Sequence, residues 1–194
     1  MAGFHYNLDA VVENEERYDV STGERRRGPY VLDKANLPAG AIIPSFAPIY
    51  ADLKTKKCYL VRNMKVYEAY ADGTAIKVEK GSFPYSGMII GNGSKGATIT
   101  GIDTSNSAYD VITISAALGA ALAVGDILFE ASAAGGTKQK YVANSALYER
   151  KQLNQDICIV ALLRTAAEIE PAKLVIPFST NDKAAMAGWF QFNE

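Results

Sequence analysis

The chain has 194 residues, 48% of them apolar, with 20 Lys and Arg against 21 Asp and Glu and a formal net charge of −1. This composition excludes a disordered chain and suffices for one ordinary domain, alone or with appendages. It also provides no broad cationic field to attract nucleic acid or an anionic membrane, so neither is expected as a partner.

The first 35 residues hold seven acidic and five basic residues, and their apolar positions are scattered. They lack a basic start, an apolar core and a small-residue cleavage site, so no signal peptide is expected and synthesis in a cytoplasm is. Residues 1–36 read as an extended N-terminal arm that orders against a partner. Its candidate contact is Arg25, Arg26 and Arg27 with Tyr30 close behind, a run able to grip an acidic surface; a solvated charge run is the plainer reading.

At Leu37-Pro-Ala-Gly the character changes, and residues 37–194 read as a β-rich body. Short strand-like runs recur from Ala41 to Ala131 with turn signals between them. Ala75 to Lys80 alternates, with Ile76 and Val78 on one face and Lys77 and Glu79 on the other, as a half-buried strand does. Val111 to Ile114 is β-branched throughout, which suits a more buried strand. Asp72-Gly73 is a hairpin signal, because the tight turn needs the positive φ that glycine adopts freely. Asn92-Gly93 and Gly135-Gly136 read similarly. Repeated short strands with such turns predict a small barrel or sandwich.

Ile114 to Asp126 has helical propensity, but Gly119 and Gly125 interrupt it, and a turn with a little helix is expected. The run from Val111 to Gly125 is too short and too rich in Gly, Ser and Thr to span a bilayer. Val142 to Leu153 stays open between helix and irregular connector. Ile157 to Ile169 is expected to be a strand that ends before Pro171. Ser179 or Thr180 can cap a short helix that Gly188 ends, and Trp189 to Phe192 alternates as a closing strand.

Groups that carry chemistry are few. His5 is the single histidine and lies in the arm, so a His-based catalytic triad is not expected. Cys58 and Cys158 sit in apolar runs as reduced core thiols, and no Cys or His pair has zinc spacing. Gly91 to Thr98 is glycine-rich but lacks phosphate-loop spacing. Asp103, Asp110 and Asp126 are the carboxylates available to acid–base chemistry, yet each sits where turn chemistry explains it. The 11 tyrosines suit core packing and subunit contacts, or a carbohydrate platform. No catalytic residue, metal or cofactor is assigned.

From LPAGAIIP to GDILFEA, about Leu37 to Ala131, the chain resembles phage head-fibre and capsid-decoration proteins, including the lambda-like head decoration family. The stretch PIYADLKTKKCYLVRNMKVYE resembles the lead-in of head-fibre proteins from phages and prophages of Bacteroidetes-type hosts. VEKG, GMIIGNG and ATITGIDTSNSAYDVITISAALGAALAVGDILFEA follow in the decoration-type order, and ALLRTAAEIEPAKLVIPF resembles the closing part. The resemblance implies a mainly β subunit, a small β-barrel or β-tulip-like decoration domain with an extended arm and a short C-terminal helix. It implies a homotrimer bound through the phage major capsid protein to the outside of the virion, with no enzymatic activity. A carbohydrate-binding β module on a virion or cell surface, and a carboxylate-based hydrolase, are the competing expectations.

Overall fold

The computed structural model describes residues 17–193. They form sixteen strands and one α-helix. In chain order these are β1 (Asp19–Arg25), β2 (Tyr30–Leu32), β3 (Ile42–Ile43), β4 (Pro48–Ala51), β5 (Lys57–Leu60), β6 (Asn63–Lys65), β7 (Ala75–Glu79) and β8 (Ile89–Gly91). Then come β9 (Gly96–Asp103), β10 (Tyr109–Ile114), β11 (Ile127–Glu130), β12 (Ser145–Leu147), β13 (Lys151–Gln152), β14 (Cys158–Val160), β15 (Leu162–Ile169), α1 (Thr180–Met186) and β16 (Phe190–Phe192). The protein is therefore mainly β, with one short helix near its C-terminal end.

The larger sheet curls back on itself. Its pairing order is β1-β15-β12-β4-β5-β2-β14, with β16 added in parallel to β15. The strands β14 and β15 are separated only by Ala161, so they act as one long run. That run pairs β2 through β14 and β12 through Leu162 and Leu163, and the path returns to where it began. Alternation then decides what lies inside. Tyr30, Leu32, Ile49, Ala51, Cys58, Leu60, Cys158, Val160 and Leu162 make a first core. Neighbouring residues Ala146 and Leu163 point to the opposite face, because successive side chains in a strand alternate. There they meet Phe46 from before β4, Ile169 at the end of β15, and Phe178, Met186 and Phe190, brought by the segment after β15, by α1 and by β16.

The second sheet comprises β6-β11-β8-β9-β10-β7. A bridge between Val66 and Val78, and a hydrogen bond from the Tyr67 N–H to the Lys77 carbonyl at 2.9 Å, join its two edges. Inside lie Met64, Val66, Ile76, Val78, Met88, Ile90, Ile99, Ile112, Ile114 and Leu128, with Leu118 and Leu122 at one end. All its strands fall between Asn63 and Glu130, so this barrel is inserted between two halves of the first.

The sequence expectations meet this structure at particular residues. In β7 the burial alternates as expected, with Ile76 and Val78 inside. In β10 only Asp110, Ile112 and Ile114 are buried, so the strand is one-faced and not buried throughout. The expected little helix after Ile114 does not form; the segment is a series of turns held by paired hydrogen bonds between Tyr70 and Leu122. Between Val142 and Leu153 the chain makes two strands, β12 and β13, and no helix. Near the C-terminal end, Ser179 caps α1 in a capping box with Asp182, and Gly188 follows the helix with φ 90°.

Of the expected arm, residues 1–16 and with them His5 lie outside the described residues. Residues 19–25 and 30–32 are strands of the large sheet; Tyr30 and Leu32 carry the inward apolar pair that the first core requires.

Candidate interaction surfaces and buried polar clusters

The four residues singled out at the basic run separate by depth. Tyr30 is 2% exposed and belongs to the first core. Arg26 is half-buried; its Nε donates to the Ser145 hydroxyl and one terminal nitrogen to the Asn144 carbonyl, both at 2.6 Å. It staples the end of β1 to β12 and is committed internally. Arg25 is exposed, with its guanidinium 5.1 Å from the centre of the Tyr148 ring. Arg27 is exposed in the turn toward β2. The structure thus leaves Arg25 and Arg27 on the surface and takes the other two inward. The burial alternates Tyr30-in, Val31-out, Leu32-in, but the three residues are all apolar, so the sequence alone does not say which face is core.

Two buried polar clusters escaped the sequence reading, since their members are far apart in the chain. In one, the fully buried Asp182 accepts from five donors. One oxygen receives the Ala143 N–H at 2.7 Å and Gln139 Nε2 at 3.0 Å. The other receives Asn63 Nδ2 at 2.7 Å, the Ser179 N–H at 2.9 Å and the Ser179 hydroxyl at 2.7 Å. Every lone pair of the carboxylate is in use and the group is sealed from solvent. Such a group orders its neighbours; it has no free face for a substrate. It ties α1 to β6 and to the connector after β11.

The second cluster stands where the chain passes into and out of the inserted barrel. Arg62 precedes β6 and Glu130 ends β11. They form a buried pair at 3.1 Å, and the Glu130 N–H also donates to the Arg62 carbonyl at 3.0 Å. The other Glu130 oxygen accepts from Lys140 Nζ at 2.7 Å and the Tyr85 hydroxyl at 2.8 Å. Burial pushes the Glu130 carboxyl upward, but the bonds from Lys140 and Tyr85 and the charge of Arg62 outweigh it and hold the group below its ordinary value. Arg62 also stacks on Tyr85 at 4.9 Å.

The carboxylates considered for acid–base chemistry are scattered. Asp103 accepts the Ser105 N–H in the β9–β10 turn, and Asp126 accepts the Ala123 N–H before β11. Asp110 pairs with Lys80 at 2.6 Å. No cluster of three or more His, Cys, Asp or Glu residues with metal-binding geometry occurs among the described residues. Cys58 and Cys158 are buried and free. Both stand opposite Leu32, on the two strands that flank β2, so their backbones are about 10 Å apart, too far for a disulfide. Burial, with smaller contributions from Cys158 and Asp33, pushes the Cys58 thiol up to about 12.

Aromatic rings are mostly spent on one another. Tyr59 and Tyr141 stack at 4.5 Å, and Tyr50 stacks on Tyr141 at 5.5 Å. Lys140 stands 5.5 Å from the Tyr141 ring. Trp189 is 55% exposed and carries the Arg164 guanidinium on its ring at 4.8 Å. A groove of about 530 Å³ runs beside it, lined among others by Thr22, Glu24, Arg164 and Gln191. Trp189 thus has a cation over its ring and remains more than half exposed beside this groove.

Among the described residues no helix is long and apolar enough to cross a membrane. Compared with known proteins, residues 2–192 match the family model described as Head fiber protein. No curated protein and no solved structure matches the chain.

Proposed function

Because the chain belongs to the phage head fiber protein family, and is thereby a structural component of a virion, we propose that it sits on the outside of the capsid as a homo-oligomer. The observation that carries this reading is the reach of the family match, which takes in nearly the whole chain and not only the half from Leu37 to Ala131 where the resemblance is visible by eye. The partner proposed is the phage major capsid protein, and the proposed oligomer is a trimer. The proposed role calls for neither a cofactor nor catalysis; the buried carboxylates of Asp182 and Glu130 are engaged in structural hydrogen bonds. Arg25 and Arg27 are the proposed capsid contacts, as two exposed guanidinium groups suited to a carboxylate-bearing surface.

Physically, such a subunit strengthens a shell by mass action, since it binds the assembled lattice and not its free parts. Co-sedimentation of the purified protein with purified shells tests the reading. Saturable binding with a fixed number of copies per shell is expected, and Arg25→Glu combined with Arg27→Glu is expected to weaken it at least tenfold. A protein that never sediments with shells would remove the reading.

A further inference from the structure

An exposed indole alone signals nothing; the setting of Trp189 does. It is the single tryptophan of the chain. It walls the groove of about 530 Å³, within the size range of small-molecule sites, about 300–1,000 Å³. The backbone makes that groove. β1 and β15 pair at Asp19 with Ala167 and at Glu24 with Thr165. Between those pairs β1 advances five residues, from 19 to 24, while β15 advances two, from 167 to 165. The surplus makes β1 arch away from its partner, as bulged strands do beside sites that must be re-aimed. Thr22 pins the arch: its hydroxyl accepts the Ala167 N–H at 2.8 Å and its carbonyl accepts the Thr165 hydroxyl at 3.1 Å. On the other side of β15 the Ala166 N–H donates to the Trp189 carbonyl at 3.1 Å, which fixes the indole's backbone to the same strand. Between arch and indole lie Ala166, Ala167 and Gly188, whose small side chains leave the width.

The polar side chains around this space are unspent. Among the described residues no hydrogen bond or ion pair holds the side chains of Glu24, Arg164 or Gln191, and all three are exposed. Arg164 rests over the indole at 4.8 Å, an attraction that leaves its N–H donors available. Glu24 offers acceptors only, Arg164 donors only, and the Gln191 amide both. Charge cancels within the lining, where Arg164 and Glu24 are the ionic residues. A strong anion meets one guanidinium opposed by a carboxylate there, and an apolar ligand leaves three polar heads without bonds. A sugar satisfies every group. A pyranose has a face of C–H bonds for a flat ring and a rim of hydroxyls that each donate and accept. Ring area remains for it, because an indole covered on both faces could not stay 55% exposed.

We propose that the groove beside Trp189 binds a neutral oligosaccharide, with the indole stacked against a pyranose ring and Glu24, Arg164 and Gln191 hydrogen-bonded to its hydroxyls. The site does not depend on the capsid reading. Arg25, one of the proposed capsid contacts, is absent from the lining and rests on Tyr148 instead. The other exposed aromatic, Tyr67, is packed against Tyr109, whose ring also carries Lys77. Trp189 is the ring that stands beside unspent donors and acceptors of both kinds.

Because Trp189 is the single tryptophan, its fluorescence reports on this groove alone. The full-length protein is titrated with hexasaccharides of mannose, of glucose and of N-acetylglucosamine, and is applied to an array of neutral and sialylated glycans. A saturable change in tryptophan emission with a neutral glycan is expected. By calorimetry with that glycan, Trp189→Ala is expected to weaken binding at least about tenfold. Glu24→Ala and Gln191→Ala are each expected to weaken it about threefold. All three side chains are exposed, so the circular dichroism spectrum is expected to stay that of the wild type. No response to any of these glycans, binding of sialylated glycans alone, or binding that Trp189→Ala leaves intact overturns the proposal. A Trp189→Ala variant that loses mass in light scattering or loses shell binding, where the wild type takes up no glycan, overturns it too and makes the groove a protein interface.

Discussion

The two barrels have similar cores and opposite constructions. The inserted barrel is built from six strands that all lie between Asn63 and Glu130. The first barrel joins β2, β4 and β5 from the beginning of the chain to β12, β14 and β15 from its end. The pairings that join its two halves, β4 with β12 and β2 with β14, span 96 to 130 residues, and such contacts carry a higher loop-closure cost before they form. The difference teaches where cooperation is needed. The inserted barrel has its own contiguous core, so its stability is local. The first barrel depends on the joint that fastens the insert and the C-terminal segment together.

The most severe way to break this arrangement is at Asp182. Asp182→Ala removes the acceptor shared by five buried donors and half of the capping box of α1. It is expected to cost about 4 kcal/mol, read from urea unfolding midpoints. Leu162→Ala, which empties a site 0% exposed inside the first barrel, is expected to cost about 3 kcal/mol. It also sharpens the comparison: hydrogen exchange is expected to accelerate in β2, β4 and β5 and to stay slow in β9 and β10. Equal acceleration in both barrels would mean that they unfold as one unit.

A milder change acts at the neck. Glu130→Gln keeps the shape but loses the charge that faces Arg62 and Lys140, and about 2 kcal/mol is expected at pH 7. The folded carboxyl is held below its unfolded value, so its contribution is present above that unfolded value, about 4.3. It disappears as pH falls through the folded value. The gap between wild type and Glu130→Gln therefore narrows on acidification; a gap constant from pH 7 to pH 3 would show that the charge is not what matters. Smallest is Lys77→Ala, which removes an exposed, solvent-screened pair with Glu68 and is expected to leave the urea midpoint indistinguishable from that of the wild type.

Much of the β content was legible because it is local. Alternation marked β7, an Asp-Gly step marked the turn before it, and Ser179 with Gly188 bracketed α1. Sequence reading faltered where small residues left two outcomes open. Ile114 to Asp126 has helical propensity, but Leu122 is drawn to Tyr70 instead, and tertiary pairing overrides propensity there. Ser145 to Leu147 has no alternation to read, since all three residues are buried between two cores. The neck pair was beyond reach for another reason: Arg62 and Glu130 are 68 positions apart, and nothing in either neighbourhood announces the other. Of the candidate contact, Arg25 and Arg27 lie on the surface and Tyr30 does not; Tyr30-Val31-Leu32 is apolar throughout, so which of its faces turns inward is decided by pairing with β5 and β14.

The insertion also sets a timetable for the growing polypeptide. Once Glu130 has left the ribosome, the inserted barrel has all its strands, whereas β2, β4 and β5 still wait for partners that end at Ile169. At roughly 5–20 residues per second that interval is about 2–8 s. Throughout it Leu32, Ile49 and Leu60 stand without the strand run that later covers them. The chain is therefore most vulnerable to misassociation in a brief window late in its own synthesis. Slowing translation between the codons for Glu130 and Ile169 is the manipulation that would lengthen it.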